Sequence, residues 1–275
     1  MSNPTYPTYT QGYSEAVLKS HASRTAENSA AFLIPHLRPD ANILDVGCGP
    51  GTISASFLPY VPQGSVKGID YSQHVVDSAR KRAAEIDGAM PPNLSFEAAS
   101  VFELPFADNS FDMVYTHQML LHLPNAVDAI REMRRVCKTG GIVAIREGDW
   151  SVSLVYPECH VLELWKSVAE DVFRTTGAEP NAGRRLITWA LEAGYDSSAI
   201  TYSSSNQTYA GAPTASWWGQ MWADRCRGDE WTRKAIQTGR VTQSDVDLIV
   251  RHWIAWSLRP DSVFVLLCGE VLLRK

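Results

Sequence analysis

The residues able to do chemistry in this chain are concentrated in Asp45-Val46-Gly47-Cys48-Gly49-Pro50-Gly51 and in Asp70, in the next apolar run. Three glycines in five positions let a backbone approach a ligand closely. A dinucleotide-binding turn needs G-x-G-x-x-G, and its third glycine would fall at position 52, where Thr52 stands. No Gly-Lys-Ser/Thr follows, which excludes a P-loop. Pro50 also lacks the N–H that a phosphate cradle would use. The turn therefore suits a nucleoside without phosphates. Asp70, in "GIDYS", is placed at a strand end to accept both hydroxyls of a ribose.

Proton chemistry has four candidates nearby in sequence: His117, His122, Glu147 and Asp149. His122 and Asp149 are taken as the catalytic pair to test, beside the alternative that no general base is needed. A third group is aromatic. Trp217, Trp218, Met221 and Trp222 form one apolar cluster, and Trp253 and Trp256 another at helical spacing. Such stripes ordinarily pack a core. Nine tryptophans, all in the second half of the chain, also suit a flat apolar acceptor stacked beneath a lid. Tyr13, Trp150, Trp218, Trp222 and Trp253 are the candidate acceptor-binding residues, with Tyr6 and Tyr9 as further cover. The five cysteines are scattered, with neither zinc-site nor disulfide spacing, so no metal is expected.

These residues need elements to hold them. "NILDVG", "SVKGID", "NLSFEAAS", "FDMVYTHQM" and "IVAIREGD" read as strands. Helices intervene at "TISASFLPYV", "SQHVVDSARKRAAEI", capped by Ser72, and "NAVDAIREMRRVC". This alternation predicts βαβ units and a parallel sheet covered on both faces. Residues 14–37 have helical spacing, broken once and ended by Pro35 or Pro39, so 1–40 form a helical cap on a domain of 41–275. A long helical stretch is predicted from Trp150 to Gly194. A polar strand, "SAITYSSSNQTY", follows, then a helical insertion over 213–258 lying on the C-terminal edge of the sheet, and a last strand, "SVFVLLCGEVLLRK".

Composition excludes several classes. A net charge of −5 provides no basic stripe for nucleic acid. The start, "MSNPTYPTYTQGY", has no basic and apolar signal regions, and no apolar run approaches the roughly 20 residues that cross a bilayer. A cytoplasmic protein acting on a small molecule is expected, with a monomer favoured as its state.

Four blocks together, "LDVGCGPG", "GIDYS", "LPFADNSFDMVYTHQMLLHL" and "EMRRVCKTGGIVAI", resemble the class I S-adenosylmethionine-dependent methyltransferases, in the branch of the ubiquinone and menaquinone biosynthesis enzymes. The resemblance is dense over residues 40–150. It implies a Rossmann-like sheet of seven strands, helices on both faces, and the last strand antiparallel and inserted beside the previous one. It implies S-adenosylmethionine as cofactor and S-adenosylhomocysteine as product. Asp45, Gly47, Cys48 and Gly49 would then line the methionine side, and Asp70 would hold the ribose. Tyr71 would flank the adenine with Gln73 nearby. Ser100 stands where relatives carry an acidic residue, leaving adenine recognition to Ser100 and main chain near Val101. Thr116 and His117 would contact the methionine portion, and Arg24 its carboxylate.

The acceptor is narrowed by what is missing. "THQM" is unlike the Asn/Asp-Pro-Pro-Tyr motif of adenine and glutamine N-methyltransferases, and residues 117–129 lack the glutamate pair of arginine methyltransferases. The N-terminal stretch and the tryptophan-rich insertion are similar to fungal methyltransferases of secondary metabolism, including those acting on dithiols of the gliotoxin type. A thiol acceptor, partly ionised already with a pKa near ~8.5, would explain the lack of a strong base motif. O- or C-methylation of a quinone or polyketide fits the same pocket. A nicotinamide oxidoreductase and a cofactor-binding protein without activity are the readings from other classes.

Overall fold

The structure is a computed structural model that describes residues 23–275. Its strands are β1 (Asn42–Val46), β2 (Ser65–Asp70), β3 (Leu94–Ala98), β4 (Phe111–His117), β5 (Cys137–Tyr156), β6 (Ile200–Ala210) and β7 (Val263–Arg274). They form one sheet in the order β3-β2-β1-β4-β5-β7-β6. Strands β1 to β5 run parallel, and β7 is antiparallel to both β5 and β6. The expected seven-stranded Rossmann-like sheet is thus what the chain forms.

The helices of the described residues are α1 (Ala26–Ser29), α2 (Thr52–Ser56), α3 (Gln73–Asp87), α4 (Ala126–Val136), α5 (His160–Arg174), α6 (Leu186–Glu192), α7 (Thr214–Arg227), α8 (Asp229–Gln237) and α9 (Gln243–Ser257). Their ends follow capping chemistry. Ser72 Oγ accepts from Val75 N at 3.5 Å to open α3, and Gly88 closes it in a left-handed conformation. Thr242 and Asp245 form a reciprocal capping box on α9.

Alternation along the strands splits the apolar side chains between two faces. Ile43, Met113, Tyr115 and Ala144 pack on one face with Leu33, Phe57 and Val76. Leu44, Val46, Val114, Val143 and Ile145 pack on the other with α4. That second core continues into an aromatic cluster where α5, α7 and α9 meet the end of β5 and the start of β7. Trp256 Nε1 donates to the Tyr156 carbonyl at 2.9 Å, fastening α9 to the tip of β5.

Two expectations are corrected. The helix read over 14–37 is, in its described part, only the single turn α1 and a 3-10 turn at Ile34–His36. Pro35 sits inside that 3-10 turn and cannot donate to a longer helix. Residues 14–22 lie outside the described residues. The helix predicted from Trp150 begins only at His160, because β5 continues to Tyr156. The stretch 152–156 has period two: Ser153 and Val155 are buried while Val152, Leu154 and Tyr156 are exposed. Among the described residues no helix is long and apolar enough to cross a membrane.

Candidate active site

β1 delivers the glycine turn to the C-terminal edge of the sheet. Gly47 N and Cys48 N both donate to the Ile69 carbonyl at 2.8 Å, so β2 holds the turn. Gly47, Gly49 and Gly51 all lie in the left-handed region. What a side chain would meet differs among them. A Cβ on Gly51 would come within 2.6 Å of the Phe96 ring, and one on Gly47 within 2.5 Å of Met119. A Cβ on Gly49 would meet nothing within 4 Å. Gly49 is therefore the glycine that faces open space, as close approach of a ligand requires.

Two carboxylates flank this space. Asp70 Oδ2 accepts from Gly49 N and its Oδ1 from Ser72 N, each at 3.1 Å, so the turn and the start of α3 orient it. Burial raises its pKa and these N–H donors oppose the rise. Asp45 is buried and accepts from Ser54 Oγ at 2.5 Å, which fixes α2 on the end of β1. Burial pushes its carboxyl up to about 7, with Ser54 opposing and Asp70 adding to the shift.

The remaining cofactor candidates lie along the same edge. Cys48 is buried, and its Cβ is 3.0 Å from where a side chain on Gly68 would begin. Tyr71 is 62% exposed, while Gln73 turns to Asp77 on its own helix at 2.8 Å. Ser100 accepts from Phe102 N at its Oγ and from Glu103 N at its carbonyl, with Val101 buried beside it. Thr116 Oγ1 donates to the Val46 carbonyl at 2.8 Å, tying β4 to β1, and His117 is buried one residue on. Arg24 Nη2 donates to Gln118 Oε1 at 2.7 Å, which brings the segment before β1 to the end of β4.

The proton-transfer candidates sit differently. Asp149 is held by Arg184, with Nε to Oδ2 at 2.5 Å and Nη2 to Oδ1 at 2.7 Å, so its carboxylate fastens the 3-10 turn at Ala182–Arg185. His122 lies in a 3-10 turn after β4, 6.2 Å from the Phe173 ring. Burial, helped by the nearby Arg225 and Arg24 guanidinium groups, pushes it down to about 3 and keeps the imidazole neutral. Glu147 is fully buried, and its Oε1 accepts from Met119 N at 3.0 Å and Leu120 N at 2.7 Å. Burial raises its carboxyl to about 8 against those bonds and Arg24.

Trp150, Trp218, Trp222 and Trp253 come together in one cluster with Trp165 and Phe264. Trp165 meets Trp222 and Trp253 edge-on at 4.6 and 4.7 Å, and Trp150 meets Trp222 at 5.7 Å. Trp218 stacks on Tyr209 at 4.0 Å. Trp253 is fully buried, so packing is its visible work, whereas Trp150 lies beside Gly148 and Gln118. Tyr13, Tyr6 and Tyr9 lie outside the described residues.

The profile of a family described as "Methyltransferase domain" matches residues 37–194. Over 279 aligned positions, covering 100% of this chain and 99% of the relative, the chain is 32% identical to an uncharacterized methyltransferase of Schizosaccharomyces pombe. The chain belongs to this methyltransferase family. It is also 31% identical to the probable methyltransferase ltbC of Aspergillus luteorubrus, over 96% of each protein. A local match of 32% identity, over 46% of this chain and 51% of the relative, links it to a demethylmenaquinone methyltransferase of Staphylococcus aureus. Among solved structures, the YcgJ protein of Bacillus subtilis shares the fold with a TM-score of 0.58 at 19% identity, covering 89% of this chain and 97% of that one. The protein is an S-adenosylmethionine-dependent methyltransferase.

Sequence reasoning passed over two residues that bind the candidate site residues together. Gln118 is a non-glycine residue at φ +50, bonded to Arg24 and, through Nε2 at 3.2 Å, to Gln207 of β6. Trp165 lies at the centre of the aromatic cluster. No local pattern marks either one, since both act through partners distant in sequence.

Proposed function

We propose that the methyltransferase acts on a small, flat, apolar acceptor that brings its own acidic nucleophile, a thiol or dithiol of a gliotoxin-like fungal metabolite fitting best. The observation that carries this reading is the state of the candidate bases. Asp149 is engaged by Arg184, and His122 is pushed down to about 3. Glu147 is pushed up to about 8 and has Oε1 occupied by main-chain N–H groups. A thiol with a pKa near ~8.5 needs less help than an alcohol or a carbon acid. The guanidinium groups of Arg24 and Arg225, whose field reaches His122 and Tyr209, favour a thiolate there.

In this reading, the open space at Gly49 admits the donor. Asp70 holds the ribose. Tyr71, Ser100 and Val101 border the adenine, with Gln73 at the rim. Asp45, Gly47, Cys48, Thr116 and His117 surround the methionine portion, and Arg24 meets its carboxylate. When bound, S-adenosylmethionine supplies an electrophilic methyl group. The protein's work is then orientation in line, worth roughly 7–11 kcal/mol in favourable cases. Trp150 and Trp218, next to Gln118 and Tyr209, border the acceptor, with Trp222 and Trp253 behind them.

A second reading is methylation of carbon or oxygen on a quinol or polyketide ring. The local similarity to the demethylmenaquinone methyltransferase favours it. Incubation with S-adenosylmethionine and a panel of dithiols, hydroquinones, phenols and enols, followed by assay of S-adenosylhomocysteine, decides between them. Turnover of dithiols is expected. Turnover of ring substrates alone would replace the thiol reading, and binding of NAD(H) without S-adenosylmethionine would sink both.

A further inference from the structure

We propose that Gln118 is a positioning residue, whose amide fixes the Arg24 guanidinium in the donor compartment. The proposal rests on the reading of Arg24 as a donor contact.

Gln118 follows β4 directly and lies at φ +50, a region where any side chain is unfavourable and glycine is free. A strained non-glycine residue persists when surrounding structure over-determines it, and such residues gather at functional sites. Here every hydrogen-bonding group of the residue except its carbonyl has a visible partner. The main-chain N–H donates to the Arg146 carbonyl at 2.9 Å. Oε1 accepts from Arg24 at 2.7 Å, and Nε2 donates to Gln207 Oε1 at 3.2 Å.

The chain around Arg24 is anchored as well. Ala26 N donates to Ser56 Oγ at 2.6 Å, and Tyr115 Oη donates to the Ser29 carbonyl at 2.6 Å. These contacts bring the Arg24 backbone over the end of β4, where its guanidinium reaches the Gln118 amide. Fixing a side chain of that length costs substantial rotamer entropy. The Gln118 amide fixes it, and Gln207 fixes which way the amide faces. Met119, the next residue, covers Gly47 of the glycine turn, so the same segment reaches both donor contacts. A carboxylate at position 118 would keep the bond to Arg24 and lose the donor to Gln207. Asparagine tolerates the backbone but is one methylene too short.

Calorimetric titration of S-adenosylhomocysteine into the wild type, Gln118→Ala, Gln118→Glu, Arg24→Ala and the Gln118→Ala/Arg24→Ala double variant tests this, with melting temperatures alongside. Losing one charge-assisted bond should weaken binding about 10-fold in Gln118→Ala. Gln118→Glu should recover most of that loss, and the double variant should bind no worse than Arg24→Ala. Wild-type affinity in Gln118→Ala, or losses that multiply in the double variant, would overturn the proposal alone. Failure of the wild type to bind S-adenosylhomocysteine would overturn the donor-site reading and the proposal with it. A loss of melting temperature with unchanged affinity would mark Gln118 as structural and overturn the positioning role.

Discussion

Gly49 and Gly51 share a backbone conformation and differ in what their missing side chains would meet, so replacing each with alanine separates binding from folding. At Gly49, φ +54 makes a Cβ cost roughly 1–2 kcal/mol in the folded chain. Nothing lies within 4 Å to add a packing cost. For a domain of this size that is a fall in melting temperature of about 2–8 °C. The same Cβ stands in the space assigned to the donor, where crowding costs about 1–3 kcal/mol, or roughly 5- to 150-fold in affinity. At Gly51 the backbone cost is the same, but the Cβ falls 2.6 and 2.8 Å from Phe96 ring atoms and 3.1 Å from Ala79. Phe96 is buried and cannot retreat to solvent, so a further cost of about 1–3 kcal/mol lands on stability. Gly49→Ala should therefore lose S-adenosylhomocysteine affinity while melting only about 2–8 °C below wild type. Gly51→Ala should melt lower and, when titrated well below its melting temperature, bind nearly as wild type. Scanning fluorimetry and calorimetry give both numbers. Wild-type affinity in Gly49→Ala, or a Gly51→Ala protein that outlasts Gly49→Ala on heating, would refute the assignment of the open space.

Three other substitutions probe the remaining parts of the site. Asp70→Ala removes the proposed ribose acceptor and the partner of Gly49 N and Ser72 N, so titration should show S-adenosylhomocysteine binding weaker by about 1–3 kcal/mol; unchanged affinity would move the ribose elsewhere. Burial raises the Glu147 carboxyl to about 8 from its ordinary 4.5, so the stability of its neutral form is complete below about pH 4.5 and is lost as pH rises toward 8. Glu147→Gln keeps the shape and cannot ionise, so its melting temperature should exceed wild type at pH 8–9 and converge with it near pH 4; a gap that ignores pH would contradict the burial argument. His122→Ala should lower kcat by less than about 10-fold and leave S-adenosylhomocysteine affinity unchanged, whereas a loss of 10²–10⁴ would restore His122 as the general base.

The backbone frame of the proposed donor half was legible in the sequence because glycine conformation and strand order decide it. Glycine takes the left-handed positions at 47, 49 and 51 without steric cost, and a parallel sheet must bring the ends of β1 and β2 together. Even so, spacing did not reveal that Gly51 serves Phe96 and that Gly49 alone faces open space. The misread stretch after Trp150 failed for a related reason. "SVSLVY" alternates like a strand, but its exposed positions carry Val152, Leu154 and Tyr156, so the inside-outside contrast that marks an edge of β5 is missing from the letters.

The surroundings of the proposed acceptor half were less legible because its residues are selected by partners far along the chain. The pKa values of His122 and Glu147 come from burial, which arises only when the turn at Leu120–His122 folds over β5. Asp149 looked like an open acid until the turn carrying Arg184 supplied its partner, 35 residues away. The tryptophans show the same principle in the apolar part. Trp165, on α5, packs against both Trp222 of α7 and Trp253 of α9, so three helices share one aromatic centre. The rings that hold the insertion together are thus the same ones proposed to border the acceptor. A change at Trp253 should be felt first in folding, whereas Trp150 and Trp218, on the side toward Gln118 and Tyr209, are where a change can alter acceptor choice while the helices stay in place.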